Sequence, residues 1–167
     1  QAEHIHAIET GLSSDPPMNW RLSQLDRMAI VSSSDSHSPA RMGRESTIFE
    51  LEKLSYANVQ DALAMKNEKN RIASTVEFFP EEGRYHWDGH RNCNTRMPPL
   101  ETKKHKGICP VCKKKLTIGV LYRVDQLADR PEGYEAPNRP PYHSLVPLQE
   151  IIADAIHTSS LMAIQWR

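Results

Sequence analysis

The chain has 167 residues, enough for one ordinary domain or for a partial domain with a small satellite. Hydrophobic residues make up 38%, aromatics 7% and charged residues 25%, with a mean hydropathy of -0.61 and 12 prolines; this is polar for one well-filled core and implies long connecting segments. No apolar run approaches the length of a membrane span and no charged-then-apolar leader opens the chain. The expected setting is therefore a reducing cytoplasm, where cysteines serve as thiols or metal ligands rather than cystines.

The formal net charge of +0 conceals an asymmetry. From Arg84 to Arg123 there are ten Lys and Arg residues against two acids, Asp88 and Glu101, so this segment carries +8 and the remainder -8. A concentration of bases of this kind suits a polyanionic partner. Gln1 opens the chain in place of Met, inside what reads as a strand, and Arg167 closes it inside what reads as a helix. A fragment of a longer protein is expected.

Ile5 to Glu9 reads as a short strand, followed by a turn-rich loop through Ser13, Ser14, Asp15, Pro16 and Pro17. The apolar run Ala29 to Ser32 suits a buried strand and leads into Ser34-Asp35-Ser36-His37-Ser38-Pro39. Ser55 is a credible N-cap for a helix from Tyr56 to about Asn67. Thr75 to Phe79 reads as a strand, Pro80 to Gly83 as a turn and Arg84 to Trp87 as the returning strand. Lys113 to Val120 also reads as a strand, and Val124 to Arg130 as one or two helical turns. Arg130 to Pro147 is a Pro-rich connector. Pro147, at the first position of a last helix, precedes an apolar stripe of Leu148, Ile151, Ile152, Ala155 and Ile156.

The three cysteines carry the most specific signal. Cys109-Pro110-Val111-Cys112 is a C-x2-C knuckle, and His90-Arg91-Asn92-Cys93 repeats the spacing with His in place of one Cys. Two such knuckles separated by Asn94 to Ile108 are what a tetrahedral zinc ribbon requires. A redox C-x2-C would need a helix start after the first Cys, where the sequence instead continues as a strand. His90 has the knuckle spacing for the fourth ligand; His86 and His105 are the other candidates. A site with four protein ligands has no open position, so this zinc is expected to be structural.

Asp35-Ser36-His37 is a D-x-H beyond a buried strand. On a strand, residues two apart share a face, so the carboxylate and imidazole can converge on one ion. Glu9, Asp15 and His6 lie near in sequence. Two ligands alone do not make a hydrolytic centre. His4-Ile5-His6 has the letters of an H-x-H but directly precedes Glu9, and is read as coincidence.

Glu9-Thr10-Gly11-Leu12-Ser13-Ser14-Asp15-Pro16-Pro17-Met18-Asn19-Trp20 and Ser34 to Pro39 resemble the late part of a PHP-family metallophosphoesterase domain. Glu77 to Gly83, Tyr85 to Cys93, Cys109 to Cys112 and Leu127 to Pro131 resemble the branch in which a zinc ribbon follows that domain, as in endonuclease Q. The resemblance spans nearly the whole chain. It implies an α/β fold: the C-terminal part of a (β/α)7-like barrel over residues 1–79, a zinc ribbon over 80–123, and a connector with the start of a helical region over 124–167. It implies that Asp35 and His37 ligate catalytic divalent metals (Zn2+, Mg2+ or Mn2+), while His90, Cys93, Cys109 and Cys112 hold structural Zn2+.

The implied activity is hydrolysis of DNA on the 5′ side of deaminated or damaged bases in DNA repair, with such DNA as partner and no membrane. The early H-x-H and mid-domain ligands of a PHP barrel are missing from this chain, which is expected to be inactive alone. The alternatives are a phosphoesterase for small phosphate esters, which has no need of the +8 segment, and a non-catalytic zinc-ribbon nucleic-acid-binding module.

Overall fold

The computed structural model describes residues 4–155. Strand β1 (Ala7–Glu9) pairs in parallel with β2 (Ala29–Val31), Ala7 opposite Ala29 and Glu9 opposite Val31. Parallel neighbours need a crossover, which here contains helix α1 (Pro16–Trp20) and a 3-10 turn over Ser23–Leu25. The loop expected at Ser13 to Pro17 thus opens a helix. Asp15 is its N-cap, accepting from the Met18 amide at 2.9 Å, and Pro16 fills the first position, where its missing N–H costs nothing.

Strand β3 (Ser46–Glu50), which the sequence reading passes over, runs antiparallel to β4 (Arg71–Glu77). Helix α2 (Tyr56–Leu63) connects them, with the Ser55 hydroxyl accepting from the Asn58 amide at 3.3 Å. It ends at Leu63 rather than Asn67. Met65 turns into the left-handed region (φ 51°), and the Asn67 side chain accepts from the Lys69 and Asn70 amides at 3.1 and 2.9 Å, closing a turn. β4 starts earlier than Thr75 because β3 pairs with it from Arg71 to Val76, and it stops at Glu77, which lies opposite Ser144.

The expected returning strand at Arg84 to Trp87 is a turn, with the His86 amide donating to the Gly83 carbonyl at 3.1 Å; the strand comes next, as β5 (Asp88–His90). It pairs antiparallel with β6 (Thr95–Met97), which leads into α3 (Pro99–Lys104). Lys113 to Val120 is not a continuous strand. It makes single bridges, Lys115 to Ile108 and Thr117 to Gly89, and helix α4 (Val120–Leu127) begins four positions before the expected helical turns. Gly119 is the N-cap of α4. Its amide is held by Asp88 Oδ1 at 2.6 Å, and a Cβ there would sit 2.4 Å from the His86 carbonyl oxygen.

The Pro-rich connector lies against the body of the protein. Arg139 donates to the carbonyls of Met28 and Leu25 at 2.7 and 3.2 Å, and Arg130 to that of Trp20 at 3.0 Å. The connector then forms β7 (Tyr142–Ser144), parallel to β4 and on the opposite side of it from β3. All of residues 78–141, His90 and the three cysteines included, therefore leave and re-enter one sheet. Helix α5 (Leu148–Ala155) follows; the Pro147 carbonyl accepts from the Ile151 amide at 3.2 Å, so Pro147 stands just before the helix rather than at its first position. Leu148, Ile151 and Ile152 are exposed and Ala153 is buried. Gln1, Ile156 and Arg167, on which expectations fell, lie outside the described residues.

Two small cores hold these pieces. Met18, Leu22 and Val124 pack with Leu25, Val120 and Leu121, joining α1 to α4; Met97, Cys109 and Leu116 pack with Cys93 and Cys112 inside the ribbon segment. The Arg21–Asp125 ion pair at 2.9 Å reinforces the first. The fold is mixed α/β with small sheets of two, three and two strands, and no closed barrel forms among the described residues. None of the described helices is long and apolar enough to cross a membrane.

Candidate metal centre

His90 ends β5, and a 3-10 turn over Arg91–Cys93 carries the chain to Cys93; Asn94 then takes a left-handed conformation (φ 47°) to start β6. The second knuckle repeats the device. Gly107 (φ 71°) turns the chain toward Cys109, and Lys113 (φ 61°) follows Cys112 as Asn94 follows Cys93. Backbone bonds from the Cys109 amide to the Lys114 carbonyl (2.7 Å) and from the Lys113 amide to the Cys109 carbonyl (3.0 Å) close this knuckle. One ligand atom from each of His90, Cys93, Cys109 and Cys112 lies within 4.8 Å of the others. Cys112 Sγ is 3.5 Å from His90 Nδ1, and Cys109 is wholly buried.

The donor set fits zinc. Bonds of about 2.3 Å to sulfur and 2.0–2.1 Å to nitrogen put the corners of a tetrahedral site roughly 3–4 Å apart, a small contraction from the arrangement present. The electrostatics agree. The Cys112 amide, pointing at Cys109, lowers that thiol to about 6, whereas a hydrogen bond with Cys112, followed by burial, raises Cys93 to about 11. The surroundings thus favour the thiolate at Cys109 and disfavour it at Cys93. A divalent cation is what would let all three thiolates coexist.

The rival imidazoles are elsewhere. His86 is buried, its Nδ1 3.0 Å from the Ser13 carbonyl oxygen, and ties the ribbon's entrance to the loop before α1. His105 is exposed, capping the C-terminus of α3.

Asp35 and His37 are both exposed, on a segment that has left the strand after Val31. Asp35 is left-handed (φ 45°), and His37 Nδ1 is 2.9 Å from the Asp35 carbonyl oxygen. The alternation of a strand, on which their convergence was expected, does not operate here. Among the described residues they join no group of three or more potential metal ligands. Glu9 and His6 are exposed, and Asp15 is occupied in capping α1.

Two buried acids had no signal in the sequence. Glu77, fully buried at the end of β4, accepts from Thr10 Oγ1 at 2.9 Å and Ser32 Oγ at 3.1 Å, so one carboxylate gathers the carboxyl ends of β1, β2 and β4. Glu45 is 2% exposed and accepts from the Phe78 amide at 3.2 Å. One oxygen of each, Glu77 Oε1 and Glu45 Oε2, has no hydrogen-bond partner among the described residues. Burial raises both carboxyls, Glu45 to about 7.

Comparison with known proteins places this geometry. No family model matches the chain. It is 33% identical over 154 residues to the uncharacterized protein MJ0043 of Methanocaldococcus jannaschii, covering 87% of this chain and 19% of that protein. It is 32% identical over 147 residues to the uncharacterized protein YqxK of Bacillus subtilis, covering 87% of this chain and 36% of that one. Among solved structures it is similar to the lesion-specific endonuclease PfuEndoQ from Pyrococcus furiosus, with a TM-score of 0.79 and 28% identity, over 96% of this chain and 40% of that one. It is equally similar to endonuclease Q in complex with a 27-mer duplex carrying an abasic lesion at the active site, with a TM-score of 0.81 and 28% identity, over 96% and 41%. The chain thus spans less than half of each of these proteins.

Proposed function

We propose that this chain is part of a metal-dependent DNA endonuclease that hydrolyses the phosphodiester 5′ of deaminated or damaged bases, acting in DNA repair in the cytoplasm. The observation that carries the reading is the likeness to endonuclease Q over 96% of the chain at a TM-score of about 0.8, including the complex with lesion-bearing duplex. In this reading residues 1–79 are the C-terminal part of a PHP domain, 80–123 the zinc ribbon, and 124–167 a connector and the start of a helical region. His90, Cys93, Cys109 and Cys112 hold structural zinc, whose binding energy supports a ribbon with a very small core.

Asp35 and His37 are this chain's contribution to the catalytic metals, which when bound supply an activated hydroxide and charge stabilisation at the phosphate. Two exposed donors do not make a centre, so the remaining ligands come from parts of the protein outside this chain. The bases between Arg84 and Arg123 engage phosphates without reading sequence.

The test is incision of duplexes containing uracil, hypoxanthine or an abasic site by the full-length protein with Mg2+, Mn2+ or Zn2+, with the cut mapped. The expected cut is 5′ of the lesion and is abolished by Asp35→Ala with ribbon zinc retained; no incision with any metal refutes the proposal. A second reading, a non-catalytic nucleic-acid-binding module, has one observation in its favour: the ribbon cluster is the only such metal-ligand group among the described residues. Metal analysis of the full-length protein separates the two, since the module would hold ribbon zinc alone.

A further inference from the structure

Beside His90 lies a groove of about 780 Å³, lined by residues between Gly83 and Gly119 and within the size range of small-ligand clefts. Its exposed charges are Arg84, Arg91 and Arg96. The one carboxylate in its lining, Asp88, is 1% exposed, so the face toward solvent is cationic. Two of the guanidinium groups lie on aromatic rings: Arg84 is 5.6 Å from the centre of Tyr85 and Arg96 is 5.2 Å from that of Trp87.

The second pair is fixed in place. Trp87 Nε1 and Arg96 Nη2 both donate to the Glu81 carbonyl, at 3.1 and 2.7 Å, and His86 packs edge-on to the indole with centroids 4.8 Å apart. Tyr85, by contrast, is 61% exposed and has no packing role in either core.

A lysine-rich surface attracts any polyanion. An exposed ring with a guanidinium group beside it asks more of its ligand: a flat π-face together with a phosphate. In an intact duplex the bases are stacked on one another and their faces are unavailable. We propose that this groove binds an unpaired stretch of DNA, with a base stacked on Tyr85 and phosphates held by Arg84, Arg91 and Arg96. The inference rests on the proposed endonuclease reading for the identity of the strand as DNA, and adds which form of DNA this face takes.

The test is fluorescence anisotropy of a labelled mixed-sequence 12-mer, single-stranded or annealed to its complement, titrated with the zinc-loaded 167-residue chain. The single strand is expected to bind more tightly. Tyr85→Ala should weaken single-strand binding about tenfold and duplex binding little, while Tyr85→Phe, which keeps the ring, should match the parent. Arg91→Ala should reduce the slope of log K against log salt by about 0.7, one single-strand phosphate contact. Because Tyr85 is exposed, unchanged zinc content and circular dichroism should accompany its replacement. Equal affinity for duplex and single strand, or an unchanged single-strand affinity in Tyr85→Ala, overturns the proposal. Loss of incision by the full-length protein would remove the nuclease reading and leave this binding result standing; intact incision without a single-strand preference would remove only this one.

Discussion

Glu45 gives the fold a stability that depends on pH. Its carboxyl is 2% exposed, with one oxygen facing the Phe78 amide and the other without a partner among the described residues. Burial, reinforced by the neighbouring Glu77 and only partly opposed by the Phe78 amide, raises it from 4.5 to about 7. The proton is held more tightly in the folded chain than in the unfolded one. The contribution of Glu45 is therefore complete below about pH 4.5 and is lost as the pH rises through about 7. At about 1.4 kcal/mol per pH unit this interval corresponds to roughly 3 kcal/mol.

Glu45→Gln keeps an oxygen for the Phe78 amide and has no charge to bury. Urea unfolding of parent and variant from pH 5.5 to 8.5, both zinc-loaded, should show the variant gaining on the parent by about 2 kcal/mol across that range. Any cost of placing the carboxamide NH2 is independent of pH, so the slope of the difference carries the test. A difference that does not change with pH refutes the reasoning.

Other outcomes follow from the ribbon and its attachment. Purified chain should carry one zinc; His90→Ala or Cys112→Ser should lose it to a chelator that leaves His105→Ala loaded, as read by atomic absorption after dialysis. Gly119→Ala should destabilise by about 1–3 kcal/mol in thermal or urea unfolding, since its Cβ meets backbone atoms of His86 and Trp87 at 2.4–2.6 Å. Thr10→Val should cost about 1–3 kcal/mol by removing a donor from buried Glu77.

The four-residue cluster is the most legible feature of the sequence, because a set of side chains able to ligate a metal is constrained in residue type and spacing together. His90, Cys93, Cys109 and Cys112 are picked out by x2 spacing, and they converge. Ser55 likewise announces its helix through local chemistry, one hydroxyl for one orphan amide. Where the determinant is distant, the reading drifts. Four residues such as Arg84 to Trp87 cannot show a period, and whether they form a strand depends on a partner the sequence does not reveal. β3 and β4 define each other's length in the same way. Glu45 and Glu77 are hidden for a different reason: acids are normally exposed, and nothing local marks these two for burial. The D-x-H is legible as a motif, but its geometry depends on the left-handed Asp35, which no spacing rule anticipates.

The adjacency of β4 and β7 changes what kind of attachment the ribbon has. An appendage on one stem would swivel; this excursion is hinged at both ends in neighbouring strands, with the Leu145 amide donating to the Glu77 carbonyl at 3.0 Å where they meet. A metal held by His90 and the three cysteines would also shorten the effective loop that β4 and β7 must close, so its removal should loosen the docking of β7 as well as the two knuckles. A pull exerted on this segment by a bound strand would reach the body through Glu77, through His86 against the Ser13 carbonyl, and through the Arg21–Asp125 pair. At Glu77 the groups in contact are the hydroxyls of Thr10 and Ser32, the latter three residues before Asp35.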